Sequence, residues 1–195
     1  MMQERQLLRD LRALGDVRAP SRVLDRVLGE LQLGDEYALL DTLLGPLYVA
    51  WSREGVSAVM RTFTGEEFEE RFQARFGRGV RRAHEVPCDL GDRFDLRGLS
   101  EFERAVLLKA REIPRGETRT YGWIAAQIGR PAAVRAVGTV LRKNPVPVFI
   151  PCHRVVRSDG FLGEYALGGP EAKRAILEAE GVEVFDRQMG RRASA

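Results

Sequence analysis

One cysteine stands in surroundings that could make it a nucleophile. Cys152 lies in the run Ile150-Pro151-Cys152-His153-Arg154-Val155, with Arg157 two residues beyond the run and no acid before Asp159. A cysteine attacks as the thiolate, and a free thiol at neutral pH is mostly protonated, so it needs positive charge, a base or a helix N-terminus close by. His153 can serve as that base. On an extended chain, adjacent side chains point to opposite sides, so His153 would reach the sulfur only through a water or across a bend. The ordinary alternative is a small buried hydrophobe, and a Cys-His dipeptide does not exclude it. Turnover as a cysteine hydrolase would need His as base, an orienting Asn or Asp, and a second activated nucleophile, water, at the same site. His84 and His153 are the only histidines, and Asn144 is the only asparagine.

Other chemistries fit less well. A structural zinc site wants four ligands in spaced pairs, and the chain offers only His84, Cys88, Cys152 and His153, so no metal is expected. Gly77-Arg78-Gly79 lacks both the third glycine and the preceding strand of a dinucleotide fingerprint. No cofactor is expected. The first residues carry Glu4, Arg5, Arg9 and Asp10 within their apolar pattern, unlike a signal peptide. No apolar run approaches the roughly 20 residues of a membrane span. With two cysteines and no export signal, the expectation is a reduced cytoplasmic setting, nucleoid-associated if the source is bacterial.

The elements that must position these residues follow from periodicity. Helices are predicted over about 2–14 and from Ser21 to about Gly34. Strand-like runs follow at Tyr37–Leu40, Leu47–Trp51 and Val56–Arg61, punctuated by Gly45-Pro46 and Arg53-Glu54-Gly55. A helix over Glu66–Arg75 carries Phe68, Phe72 and Phe76 as a core stripe. Residues 78–98 lack periodicity and read as connecting chain. Ser100 and Glu103 form a capping box for a helix to about Glu112. Thr120 caps another, Tyr121–Ile128, closed by Gly129. A third helix starts at Arg130-Pro131 and runs to about Lys143. Asn144-Pro145-Val146-Pro147 cannot continue it. Val148–Ile150 is predicted to be extended and buried, and Pro170 opens a last helix ending at Glu180-Gly181.

The fold class expected is α/β (α+β). A small N-terminal antiparallel sheet with a helix precedes a mostly helical C-terminal domain containing a helix-turn-helix. The divisions are an extension over 1–34, a sheet-and-helix domain over 35–90, a linker over 91–98, the C-terminal domain over 99–185 and a flexible tail over 186–195.

Charge is unevenly placed. Between Thr118 and Ser158 there is no acid but seven bases (Arg119, Arg130, Arg135, Arg142, Lys143, Arg154 and Arg157), leaving 24 bases against 28 acids elsewhere. One basic block on an otherwise acidic chain is the footprint of a polyanion partner, although charge alone suits a solvated basic face equally well.

The segments Arg135-Ala136-Val137-Gly138, Asn144-Pro145-Val146-Pro147 and Ile150-Pro151-Cys152-His153-Arg154-Val155 together resemble the signature of the O6-alkylguanine-DNA alkyltransferases, also called methylated-DNA–protein-cysteine methyltransferases. The similarity extends over about Leu99 to Gly181, including Thr120-Tyr121 and Gly163-Glu164-Tyr165. It implies a single-turnover enzyme that repairs DNA by moving the alkyl group of O6-alkylguanine, and of O4-alkylthymine, irreversibly to Cys152 after nucleotide flipping. His153 would act through a bound water as base, Glu180 would orient the imidazole, and Asn144 would hold the turn before the active-site segment. The helix carrying Arg135, Ala136, Gly138, Arg142 and Lys143 would be the recognition helix. It would lie in the minor groove of double-stranded DNA without strong sequence preference, with Arg135 filling the gap in the duplex. Tyr121 would contact the flipped guanine or its backbone phosphate, and Pro147, Val155, Gly163 and Tyr165 would line the substrate pocket beside it. The resemblance implies a monomer with no membrane partner. A non-catalytic alkyl-damage-binding module of the same architecture is the alternative, and the presence of Cys152 argues against it. The chain departs from the pattern at Glu164, where several relatives have asparagine, and in one extra residue within Tyr165–Gly169. The N-terminal zinc ligands of some relatives are absent, and the first 34 residues match nothing in the family.

Overall fold

The computed structural model describes residues 34–90, 92–185 and 188–189. The two helices predicted before Asp35 and most of the tail after 185 lie outside the described residues.

Three antiparallel strands form as expected: β1 (Asp35–Thr42), β2 (Gly45–Ser52) and β3 (Gly55–Met60). They are longer than the apolar alternation suggests. The first hairpin turns at Leu43-Leu44, so Gly45 and Pro46 open β2 and pair with Thr42 and Asp41. Helix α1 (Gly65–Phe76) is capped by the Thr64 side chain and stopped by Gly77 in the left-handed conformation. Phe68 and Phe72 bury against Tyr37, Ala50 and Ala58, which confirms the stripe as core. The chain then returns at the other side of β1 as a fourth strand, β4 (Val80–Arg82). It runs parallel to β1, giving a mixed sheet ordered β3-β2-β1-β4. Antiparallel neighbours can be joined by a tight hairpin, whereas a parallel neighbour needs a crossover, which α1 supplies. Three residues are too few to show an alternating pattern, which is why 78–98 read as connecting chain.

Helix α2 (Glu101–Arg111) carries the predicted capping box of Ser100 and Glu103. A two-residue strand, β5 (Arg119–Thr120), leads into α3 (Tyr121–Gln127), whose N-terminus is capped by Thr120. The predicted third helix is divided. Pro131–Ala133 form a 3-10 turn, and α4 (Val134–Arg142) follows. No side chain caps the turn at Arg130, and proline sets the first φ without supplying a donor. After α4 come a 3-10 turn over Cys152–Arg154, strand β6 (Val155–Val156), α5 (Gly169–Ala179) and a small pair, β7 (Val184–Phe185) with β8 (Gln188–Met189). β6 pairs in parallel with β5, which ties the start of α3 to the chain just after Cys152.

One apolar cluster joins Val49, Trp51, Val56 and Val59 of the sheet to Val106, Ile124, Val137, Leu141, Ile150 and Cys152. At its seam the Val59 amide donates to the Pro145 carbonyl at 2.8 Å, and Arg75 of α1 donates to the Lys143 carbonyl at 2.5 Å. The sheet thus holds the turn that leads from α4 to Cys152.

Val148–Ile150, predicted extended and buried, is a tight turn. Ile150 N–H donates to the Val146 carbonyl at 2.9 Å, Val148 is exposed with φ of 76°, and only Ile150 is fully buried. Two prolines and the Asn144 side chain bend the chain before it can extend. A β-branched residue at positive φ costs roughly 1–2 kcal/mol. Val148→Asn, which tolerates that conformation and loses little buried surface, is expected to stabilise the fold by about 1 kcal/mol. A urea midpoint that falls or stays unchanged would count against strain at this residue.

Candidate active site and nucleic-acid interface

Cys152 sits on the first residue of its 3-10 turn and is 4% exposed. The turn supplies the bend that an extended segment would lack. Burial pushes the thiol pKa up, while a hydrogen bond from Asn144, the charge of Lys173 and the amides of Cys152 and His153 pull the other way without winning. The resting group is therefore a thiol, and its proton needs a route out.

His153 supplies one. Its ring is buried, and burial lowers its pKa against the opposing pull of Glu180, so it stands neutral. Nε2 lies 3.1 Å from Glu180 Oε1, while Nδ1 is buried without a protein partner among the described residues. Burial would raise the Glu180 carboxyl, but hydrogen bonds from His153 and Arg154, with their charges, bring it down to about 2. A carboxylate can only accept, so Nε2 carries the proton and Nδ1 has the free lone pair. Arg154 donates to both Glu180 oxygens, at 2.9 and 2.7 Å, and to the Ile113 carbonyl at 2.7 Å. Glu180 caps the C-terminus of α5.

Asn144 is fully engaged. Its Oδ1 accepts from the Val146 amide and its Nδ2 donates to the Ile150 carbonyl, both at 3.0 Å. This clamps the turn that presents Cys152. Tyr121, the first residue of α3, lies beside two glycines. A Cβ on Gly163 would lie 3.0 Å from its hydroxyl, and one on Gly138 would lie 3.8 Å from its ring. At Gly138 that distance is ordinary contact, so only Gly163 needs its missing side chain to admit the Tyr121 hydroxyl. Tyr165 is buried edge-on to His153, with ring centroids 6.0 Å apart, and its hydroxyl has no partner among the described residues. Pro147 is buried in the turn, and Val155 joins the core with only its carbonyl reaching the site. Arg135, Ala136, Arg142 and Lys143 are exposed on α4 or at its end; Arg135 and Arg142 have no acidic partner among the described residues, while Lys143 acts electrostatically on Glu103.

Two residues of the site escaped the reading of the sequence. Arg154 was visible only as part of a basic surround, though a buried Glu180 calls for a counter-charge. Lys173 is fully buried, donates to the Val155 carbonyl at 2.6 Å and lies 5.9 Å from the centre of the Tyr121 ring. Its spacing offered a signal, because Lys173, Ile176, Leu177 and Glu180 recur on one helical face. Burial lowers its ammonium pKa to about 8, against the attraction of Cys152 and Glu164. Among the described residues no group of three or more potential ligands could hold a metal, and His84 and Cys88 are both exposed.

Comparison with known proteins decides the family. A sequence model described as 6-O-methylguanine DNA methyltransferase, DNA binding domain, matches residues 101–182. A methylated-DNA–protein-cysteine methyltransferase of Methanosarcina acetivorans is 35% identical over 156 residues, 74% of this chain and 97% of that protein. The chain belongs to the methylated-DNA–protein-cysteine methyltransferase family. The mouse member is 51% identical over 82 residues, but the match spans only 39% of its length. The crystal structure of Mycobacterium tuberculosis OGT in complex with DNA superposes with a TM-score of 0.56 at 34% identity, covering 74% of this chain and 92% of that one. The match to the archaeal methyltransferase is longer than the DNA-binding domain alone, so it takes in part of the chain before residue 101.

Two measurements test this electrostatic arrangement. A lysine whose folded pKa is depressed disfavours its charged form in the fold. Stability is then reduced below about pH 8 and recovers as the pH rises from 8 to the unfolded value of 10.5. Lys173→Met is expected to abolish a rise of about 2–3 kcal/mol across that window in denaturant titrations. Asn144→Ala is expected to cost about 2 kcal/mol and to move the pH profile of Cys152 alkylation by iodoacetamide upward. An unmoved profile would remove Asn144 from thiol activation.

Proposed function

We propose that this chain repairs DNA by transferring the alkyl group of O6-alkylguanine, and of O4-alkylthymine, to Cys152 in a single irreversible event. The observation that carries this reading is the pairing of a buried Cys152 thiol and a neutral, Glu180-anchored His153 with an acid-free helix whose exposed Arg135 and Arg142 have no acidic partner among the described residues. The O6-alkyl carbon is enclosed in a stacked, paired base, so a sulfur this deeply set requires the nucleotide to be extruded, which a damaged pair makes less costly. Exposed Arg135 would fill the space left in the duplex, and Arg142 and Lys143 would bind phosphates without reading sequence. Placing α4 in the minor groove suits a small exposed residue such as Ala136, which lets the backbone approach closely.

In the reaction the thiol proton passes through a water to His153 Nδ1, with the imidazolium held by the Glu180 carboxylate. The sulfur attacks the alkyl carbon, the S–C bond forms, the C–O6 bond breaks, and its electron pair leaves on guanine O6. The guanine takes up one proton, balanced by the one that the imidazolium returns through solvent, so the products are a thioether, unmodified guanine and neutral His153. Tyr121, whose hydroxyl stays protonated because burial and the nearby Cys152 raise its pKa, would donate a hydrogen bond to the leaving base. Because water does not readily hydrolyse a thioether, each molecule acts once. We further propose that it acts as a monomer in the cytoplasm; no described helix is long and apolar enough to cross a membrane.

Intact-mass measurement after incubation with O6-methylguanine duplex is expected to show one added methylene on Cys152 and no second event. Cys152→Ala is expected to bind the same duplex without acquiring mass. An unmodified Cys152 in a chain that still prefers the damaged duplex would point instead to a damage-binding module.

A further inference from the structure

Arg61 comes from the part of the chain that precedes the DNA-binding domain, immediately after the last residue of β3. It is exposed, has no ion-pair partner among the described residues, and donates from Nη2 to the Leu44 carbonyl at the first hairpin turn. That bond holds the guanidinium against another segment, since Nη1 lies 3.2 Å from the point a Cβ would occupy on Gly168. Gly168 adopts φ of 133°, and a Cβ there would crowd both the Ala172 Cβ, at 3.1 Å, and the arginine. The same loop sets Gly163 against the Tyr121 hydroxyl and Tyr165 against His153. The charge of Arg61 also reaches inward, opposing the rise in the Tyr165 hydroxyl pKa caused by burial.

A nucleotide brought to Cys152 must pass this loop, and its backbone phosphates travel with it. Glu164, exposed on the loop, would repel them. An immobilised guanidinium with open donors at the end of the loop offsets that repulsion and matches a phosphate in geometry. We propose that Arg61 is a phosphate-binding residue of the DNA interface, holding the backbone of the extruded nucleotide against the Gly163–Gly168 loop. This rests on the alkyl-transfer reading given above.

The test uses the full chain carrying Cys152→Ala, with and without Arg61→Gln, and an O6-methylguanine duplex titrated across a series of salt concentrations. Loss of one phosphate contact is expected to weaken binding about three- to tenfold and to lower the slope of log affinity against log salt by about 0.9. An unchanged slope overturns the proposal. In the Cys152 background, Arg61→Gln is expected to slow methyl transfer from subsaturating DNA while leaving iodoacetamide labelling of Cys152 and the melting temperature unaltered. Equal losses in transfer and labelling would reduce Arg61 to a support for the loop and overturn the proposal. A defect confined to O6-carboxymethylguanine DNA would mean that the guanidinium meets an acidic alkyl group rather than a phosphate, which also overturns it. Methyl transfer by the unaltered chain reports on the alkyl-transfer reading separately, so the two ideas fail in different measurements.

Discussion

The Glu180 carboxylate is the point on which the site hangs. A buried carboxylate is costly unless it is paired and hydrogen-bonded, and here His153 and Arg154 satisfy it from one short turn. Because Arg154 also binds the Ile113 carbonyl, a single anion links the end of α2, the active-site turn and the end of α5. That arrangement fixes the imidazole tautomer and leaves Nδ1 as the only site able to take up a proton. Burial, with a smaller contribution from the charge of Arg154, outweighs the pull of Glu180, so the imidazole stays neutral and ready to receive.

The site and the sheet are mechanically joined. The Asn144–Ile150 turn receives support from inside through the asparagine side chain, and from outside through Val59. The acceptor sulfur is thereby presented from a rigid frame, although its own segment has the irregular backbone of a loop. The strained φ at Val148 marks how tightly that frame bends the chain.

Much of this was legible in the sequence, for identifiable reasons. Helix caps are local, so Ser100, Glu103 and Thr120 announced two helices directly. The three-strand meander and the phenylalanine stripe follow from periodicity. The nucleophile and its histidine stood out from the residues around Cys152, while the roles of Asn144 and Glu180 came from the family resemblance; the structure gathers the four within hydrogen-bonding distance of one another or of shared backbone. What stayed hidden depends on distant neighbours. β4 is defined only by its pairing with β1, and the turn at Val148 only by the clamp of Asn144. Lys173 reads as an ordinary charged residue until its helical face is known to be the buried one.

That buried lysine couples the state of the sulfur to the proton inventory of the fold. While Cys152 is free, it can become an anion beside the Lys173 ammonium and share its burden of burial. Once the sulfur carries an alkyl group it has no charge to give, and Glu164 remains as the weaker of the two attractions. An alkylated molecule therefore lacks the anionic partner that an ionised Cys152 would offer to Lys173. Alkylation at one atom would thus remove a charge partner open to a buried residue on another element.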